Sequence, residues 1–187
     1  MTSRMDEWIR RCEGIPLQTR EDLERLQFNK LNRLLRREKD RDGFYQLPSS
    51  LSSLEELSSL PFTTSEDIQN HAAGILLGST ADIQKVISDT TSGTTGAEKR
   101  IFYSERDLRH TVELFTVGIS EMVKERDTVL IGMPYTGPDS LADLIEQAVR
   151  GLQAKPVRHS FGSFYEQCDW IHRTRPDSVI CFPVWLL

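Results

Sequence analysis

The stretch Asp89-Thr90-Thr91-Ser92-Gly93-Thr94-Thr95-Gly96-Ala97-Glu98-Lys99-Arg100 gathers hydroxyls, glycines and a lysine between two short apolar runs, Val86-Ile87 and Ile101-Phe102-Tyr103. Apolar β-prone runs on both sides predict a loop that joins two strands. Gly93 and Gly96 permit positive φ and close backbone approach, so amides and Thr and Ser hydroxyls can donate to an anion such as a polyphosphate. Lys99 adds a point charge. On composition alone a second reading stays open, a flexible Ser/Thr/Gly hairpin loop that binds nothing. The Walker spacing Gly-x-x-x-x-Gly-Lys-Ser/Thr is absent.

Other chemistry has weaker support. Cys168 and His172 lie four apart on a predicted helix, but no second ligand pair accompanies them, so no metal site is expected. Cys12, Cys168 and Cys181 are odd in number and widely spaced, which supports neither a disulfide framework nor a zinc site. Reduced and mostly buried thiols are expected. No serine sits in a Gly-x-Ser-x-Gly elbow, which leaves a hydrolase triad without support. His110 and His159 read as ordinary polar positions. The carboxylates fall mainly in the first turns of helices, where capping accounts for them.

The elements that must position the loop follow from periodicity. Trp8 and Ile9 anchor a short terminal helix or ordered arm before the break at Gly14-Ile15-Pro16. Thr19 with Asp22 marks a helix start, and Leu23, Leu26, Phe28, Leu31, Leu34 and Leu35 give it a broad apolar stripe ending near Gly43. Short helices and turns fill residues 47–64, with Leu51, Leu54 and Leu57 packing on the body, and Ser65 with its acidic neighbours caps another helix. From Val86 onward strands and helices alternate. Ser104 with Asp107 caps a helix carrying Leu108, Val112, Phe115, Ile119 and Met122 on one face. Strands are expected at 128–131, 155–158 and 178–182. Helices from Ser140 to Arg150, with Leu141, Leu144, Ile145, Ala148 and Val149 inward and Gly151 closing it, and from Phe164 to Arg173 separate them. Strand-to-strand intervals of about 25 residues with a helix between are the signature of parallel βαβ units, so the fold class is α/β with helical cover.

The chain has 187 residues, a net charge of −5 and a pI near 5.4. That length suits one substantial domain. The acidic balance argues against nucleic acid or an anionic membrane as the main partner, and Arg33, Arg36, Arg37, Lys39 and Arg41 are interleaved with acids as on a solvated helix end. Met1 to Glu7 lacks the apolar core of a secretory signal and no stretch could span a bilayer, so a cytoplasmic location is expected. The apolar run Phe182-Pro183-Val184-Trp185-Leu186-Leu187 would be a sticky surface if uncovered. A longer polypeptide, or a partner such as a second copy, is expected to cover Val184–Leu187.

Thr91-Ser92-Gly93-Thr94-Thr95-Gly96-Ala97-Glu98-Lys99 resembles the phosphate-binding loop of the adenylate-forming superfamily, which includes acyl-CoA and aryl-CoA ligases. Gly43-Phe44-Tyr45, Ser53 to Leu57, Leu60-Pro61-Phe62-Thr63-Thr64-Ser65-Glu66-Asp67-Ile68, Tyr103-Ser104-x-x-Asp107 and Arg175 to Ile180 look like segments of phenylacetate-CoA ligase and its coenzyme F390 synthetase relatives. The likeness runs, with gaps, from about residue 20 to the last residue. It implies a helical segment over 1–80 that packs on the body and, over 81–187, an incomplete α/β portion of the large N-terminal AMP-binding domain. It also implies a two-step reaction in which a carboxylic acid attacks ATP to give an acyl-adenylate, and a thiol such as CoA then displaces AMP. ATP, CoA and Mg2+ are the implied ligands. By match, Thr91, Ser92, Gly93, Thr94, Thr95, Gly96 and Lys99 would hold the departing pyrophosphate. Tyr135, in the stretch after the next strand, would wall the acyl pocket; a turn residue covering the sheet edge is the other reading.

Two departures bear on activity. The family has Pro where this chain has Glu98, placing a carboxylate beside the phosphates unless it faces solvent or pairs with Arg100. The Tyr-Gly-x-Thr-Glu type motif for adenine and magnesium, the ribose-binding Asp and the catalytic Lys of the small C-terminal domain do not occur. The chain by itself is therefore expected to be inactive. The alternative is a non-catalytic module derived from that family, binding a phosphate-bearing ligand or a protein.

Overall fold

Thr19 and Asp22 open the first long helix by exchanging hydrogen bonds. The Asp22 amide donates to Thr19 Oγ1 and the Thr19 amide to Asp22 Oδ2, each at 3.1 Å. Amides that a helix start leaves unpaired are satisfied in this way. The computed structural model describes residues 3–38 except 15 and 17, 47–89 except 77, 99–159 and 164–182, and of 87–89 and 99 the backbone alone. Its helices are α1 (Arg4–Glu13), α2 (Arg20–Glu38), α3 (Ser65–Ile75), α4 (Glu105–Ile119), α5 (Leu141–Gly151) and α6 (Phe164–Thr174). Its strands are β1 (Ile83–Asp89), β2 (Lys99–Ser104), β3 (Thr128–Gly132), β4 (Lys155–Arg158) and β5 (Ser178–Cys181). Two compact units emerge, Gly14–Glu105 and Met1–Glu13 with Arg106–Leu187.

In the Gly14–Glu105 unit, α2 buries Asn32 and Leu35. Leu23 and Leu34 are exposed, so the stripe is narrower than its leucine content suggests. The buried amide of Asn32 grips the irregular segment that follows: Nδ2 donates to the Leu51 carbonyl (3.2 Å) and Oδ1 accepts from the Leu51 amide (2.7 Å). Leu51 is buried as a result, while Leu57 lies exposed in the 3-10 turn Glu55–Ser59. The cap of α3 is Thr64, not Ser65. Thr64 Oγ1 accepts from the Asp67 amide (3.1 Å) and Asp67 Oδ2 accepts from the Thr64 amide (2.7 Å). The reason is register, because three residues after Thr64 stands an acid and three after Ser65 stands Ile68. Among the described strands β1 and β2 pair only with each other, antiparallel, with Val86 opposite Phe102 and Asp89 opposite Lys99. The α3 helix packs against β2.

The other unit carries the parallel sheet, in the order β4-β3-β5. Thr128 to Ile131 of β3 pair with Lys155 to Arg158, and Val129 to Gly132 with Ser178 to Cys181. Helices α5 and α6 are the two crossovers that parallel pairing requires. The core joins Val129, Ile131 and Met133 of and after β3 to Ala142, Ile145, Ala148 and Val149 of α5, with Ile119, Val123 and Ala154. Gly132 is needed where β3 meets β5, since a Cβ there would lie 3.2 Å from Cys181 Cβ. Asp177 aligns β5: its carboxylate accepts from the Thr128 amide (2.7 Å) and its amide donates to the Thr128 carbonyl (2.8 Å). The α1 helix belongs to this unit. Arg4 donates to the Ser120 carbonyl (2.7 Å), and the Trp8 ring lies 5.2 Å from that of His110.

Several expectations shift at element ends. Met122 is 72% exposed because α4 stops at Ile119, and the turn Ser120–Met122 delivers Val123 to the core instead. Leu141 is exposed and Ala142 takes the inward place, since a side chain at the first helical position projects back past the helix end. Gly151 is the last residue of α5, and the left-handed conformation after it falls to Gln153 (φ 58°). Strand β5 is only half-buried, with Val179 exposed. Cys12 and Cys168 are exposed, against the expectation of buried thiols, because neither α1 nor α6 buries any residue. Cys181 is half-buried, and desolvation pushes its thiol above the usual range. Among the described residues no helix is long and apolar enough to cross a membrane.

Truncation of Asn32 strands both polar groups of Leu51. Asn32→Ala is expected to lower stability by about 1–3 kcal/mol in urea unfolding, the cost of orphaned buried hydrogen-bonding groups. The amides of Gln18 and Thr19 hold the Asp22 carboxyl below its ordinary value. A depressed folded-state value means that the contribution is complete above the unfolded value, near pH 4, and is lost as pH falls through the folded one. The difference in melting temperature between the parent and Asp22→Asn should therefore be constant at neutral pH and shrink below about pH 4.

Candidate functional site

The antiparallel register ends with Asp89 opposite Lys99, so the residues on either side of 90–98 are backbone neighbours. Thr91, Ser92, Gly93, Thr94, Thr95, Gly96 and Glu98 lie outside the described residues. Lys99 is placed by its backbone at the loop end of β2. Next along the strand, Arg100 lines an open cleft of about 450 Å3 together with Gln69, Asn70, Ala72 and Ala73 of α3. The α3 backbone leaves helical geometry at His71 (φ −128°, ψ 26°), in the middle of that wall. A guanidinium and two carboxamides make this cleft rich in hydrogen-bond donors. Gln69 and Asn70 carried no signal in the sequence, where only the capping residues of α3 stood out.

The second candidate place is the C-terminal edge of the parallel sheet, where ligands of open α/β sheets bind. The connection after β3, Met133 to Ser140, contains Pro134, Tyr135, Gly137 and Pro138 and reaches α5 through Asp139 in the left-handed conformation (φ 60°). Tyr135 is 45% exposed, and the Cζ of Arg158 sits 3.9 Å from its ring centroid. Arg158 ends β4, beside Ile131 of β3.

The α5 face supplies the counter-charges. Asp143, Glu146 and Arg150 are spaced by three and four, so they share one face of the helix. Arg158 donates from Nε to Glu146 Oε2 and from a terminal nitrogen to Asp143 Oδ1 (2.9 Å). Arg150 donates to Glu146 Oε1 through two nitrogens, at 3.0 and 2.7 Å. Asp143 Oδ2 also accepts from the Asp139 amide (3.0 Å) and Gln147 Nε2 (2.9 Å). Buried Glu146 is thus held between two arginines, and Asp143 ties the connecting loop to β4. Just beyond, the His159 ring lies 4.9 Å from that of Trp170. Its Nε2 is buried, with no hydrogen-bond partner among the described residues. None of these pairings was legible beforehand. Asp143 and Glu146 read as helix-turn carboxylates, and Arg158 as a residue of a weak strand.

A parallel three-stranded sheet with helical crossovers in one unit and an antiparallel strand pair in the other match part of the fold of an adenylate-forming ligase. The chain is similar to solved structures of 2-hydroxyisobutyryl-CoA ligase. One, in complex with 2-HIB-AMP and CoA in the thioesterification state, matches at TM-score 0.68 and 19% identity over 87% of this chain and 37% of that one. An open conformation with the same ligands matches at TM-score 0.66 and 16% identity. A postadenylation state with 2-HIB-AMP matches at 0.65 and 17%. At such identities the likeness concerns the fold, and this chain spans 37–38% of the length of those ligase chains. No family model and no curated protein sequence matches it.

Removing Glu146 takes away the buried carboxylate that Arg150 and Arg158 share. Glu146→Ala should cost roughly 1–3 kcal/mol in denaturant unfolding, below the 3–5 of a fully buried pair because both arginines reach solvent. Arg150→Ala should cost less, since its side chain is the more exposed partner.

Proposed function

We propose that this chain is the N-terminal portion of an AMP-forming carboxylic acid–CoA ligase of the phenylacetate-CoA ligase-like kind, and that it is inactive alone. The observation that carries the reading is the Thr91-to-Lys99 sequence standing between the paired ends of β1 and β2, in a chain with the fold of a CoA ligase. In the reaction a carboxylate oxygen of the acid attacks the α-phosphorus of ATP and pyrophosphate leaves. The sulfur of CoA then attacks the acyl carbonyl, and AMP leaves. Thr91, Ser92, Gly93, Thr94, Thr95, Gly96 and Lys99 hold the β- and γ-phosphates during the first step. Their contribution is charge stabilisation by donors and one cation at the place where the leaving group gathers charge. Tyr135 walls the acyl pocket.

Among the described residues no group of three or more His, Cys, Asp or Glu could hold a metal ion. Glu98 places a carboxylate within the loop that receives the phosphates, which weakens the grip relative to a loop with proline there.

Inorganic pyrophosphate is the direct probe of the loop. Calorimetry should show binding by the 187-residue chain, with Lys99→Ala weakening it about tenfold, as loss of a charge-assisted contact does. Glu98→Pro should strengthen it. No heat from pyrophosphate with the folded parent chain would remove the phosphate role. Acid-dependent ATP–pyrophosphate exchange should be absent for this chain, and robust exchange would refute its inactivity alone.

A further inference from the structure

Arg158 stands at the end of a strand where a substrate carboxylate could be received, and its side chain is 38% exposed. Its surroundings argue for a different task. The four charges in contact are Arg158, Arg150, Asp143 and Glu146, which sum to zero, so no cationic excess is left for an incoming acid. Two of the guanidinium's nitrogens are spent on the carboxylates of α5, and those bonds fix its plane. The guanidinium carbon lies over the Tyr135 ring, 3.9 Å from its centroid, within the range in which cation and ring attract. The arginine is clamped from the helix side, and the tyrosine, borne on a loop with two prolines and a glycine, is held by the arginine.

We propose that Arg158 is a positioning residue: anchored by Asp143 and Glu146, it holds the Tyr135 ring in one orientation as a flat wall for an apolar, aryl-type acyl group. It does not receive the carboxylate of the acid. The inference rests on the acyl-wall role of Tyr135 given above. Tyr135 is 45% exposed with the guanidinium on its ring, and that exposed surface is what a flat ligand would meet. An aromatic acid gains from stacking on it, whereas a short aliphatic acid has little surface to place there.

The test uses the 187-residue chain with labelled arginine side chains. In nuclear magnetic resonance spectra the Arg158 δ-methylene protons should lie upfield of their ordinary position, through the ring current of Tyr135. The shift should vanish in Tyr135→Leu, persist in Tyr135→Phe and shrink in Glu146→Gln. An ordinary position in the parent chain overturns the proposal. Saturation transfer at millimolar phenylacetate and acetate reads the consequence. Arg158→Gln should weaken phenylacetate about three- to fivefold, the scale of a lost cation–π contact, and leave acetate unchanged. Arg158→Lys should recover part of the loss. Equal weakening of both acids would make Arg158 a carboxylate receptor and sink the proposal. If neither acid touches the parent chain while the upfield shift is present, the acyl-wall reading fails and the clamp stands. Circular dichroism of each variant separates these outcomes from unfolding.

Discussion

Strand β3 is the member on which the parallel sheet depends, because among the described strands it alone pairs on both sides. Val129 and Ile131 have no exposed surface and Leu130 is 3% exposed, so the strand is buried on both faces. A backbone in that position has no water to fall back on, and every amide and carbonyl must find a strand partner. That demand fixes β4 and β5 in register, and it fixes the places where their C-terminal ends meet. The loop with Tyr135, the end of β4 with Arg158 and the end of β5 with Cys181 are gathered along one edge by those ladders.

Electrostatics at that edge follow from the helix that covers it. Asp143 lies in the first turn of α5, where a carboxylate faces the positive end of the helix, and Arg150 lies in its last turn. Glu146 sits between them and takes both arginines. The group is neutral as a whole, which lets it be half-buried without the penalty an isolated charge would meet. Rigidity is therefore supplied to a surface loop by charges whose sum is zero.

The helices and strands were legible because each carries its own period or cap. Thr19 with Asp22, the apolar spacing of α4 and the run Thr128 to Ile131 each appear where their patterns require. Errors collect at ends, where one residue decides. Thr64 caps in place of Ser65, Val123 replaces Met122, and Ala142 replaces Leu141, because phase within a turn is set by packing that the one-dimensional pattern does not contain. The antiparallel partnership of β1 and β2 was half legible: two strands joined by a loop were expected, but not their antiparallel register. Least legible was the clamp on Tyr135. It joins residues 135, 143, 146 and 158 from a loop, a helix and a strand, and no local pattern marks a contact that exists only once all three are assembled.

The pairing of Asp89 with Lys99 also separates two kinds of selection. Because both ends of the loop belong to one ribbon, changes between them leave every other element in register. Lengthening such a segment is cheap, about 0.6 kcal/mol for each doubling by loop-closure entropy. The chemistry of residues 90–98 is thereby free to drift at little cost to folding. Glu98 lies in that stretch, so its charge bears on the chemistry of residues 90–98 and hardly at all on whether the protein folds.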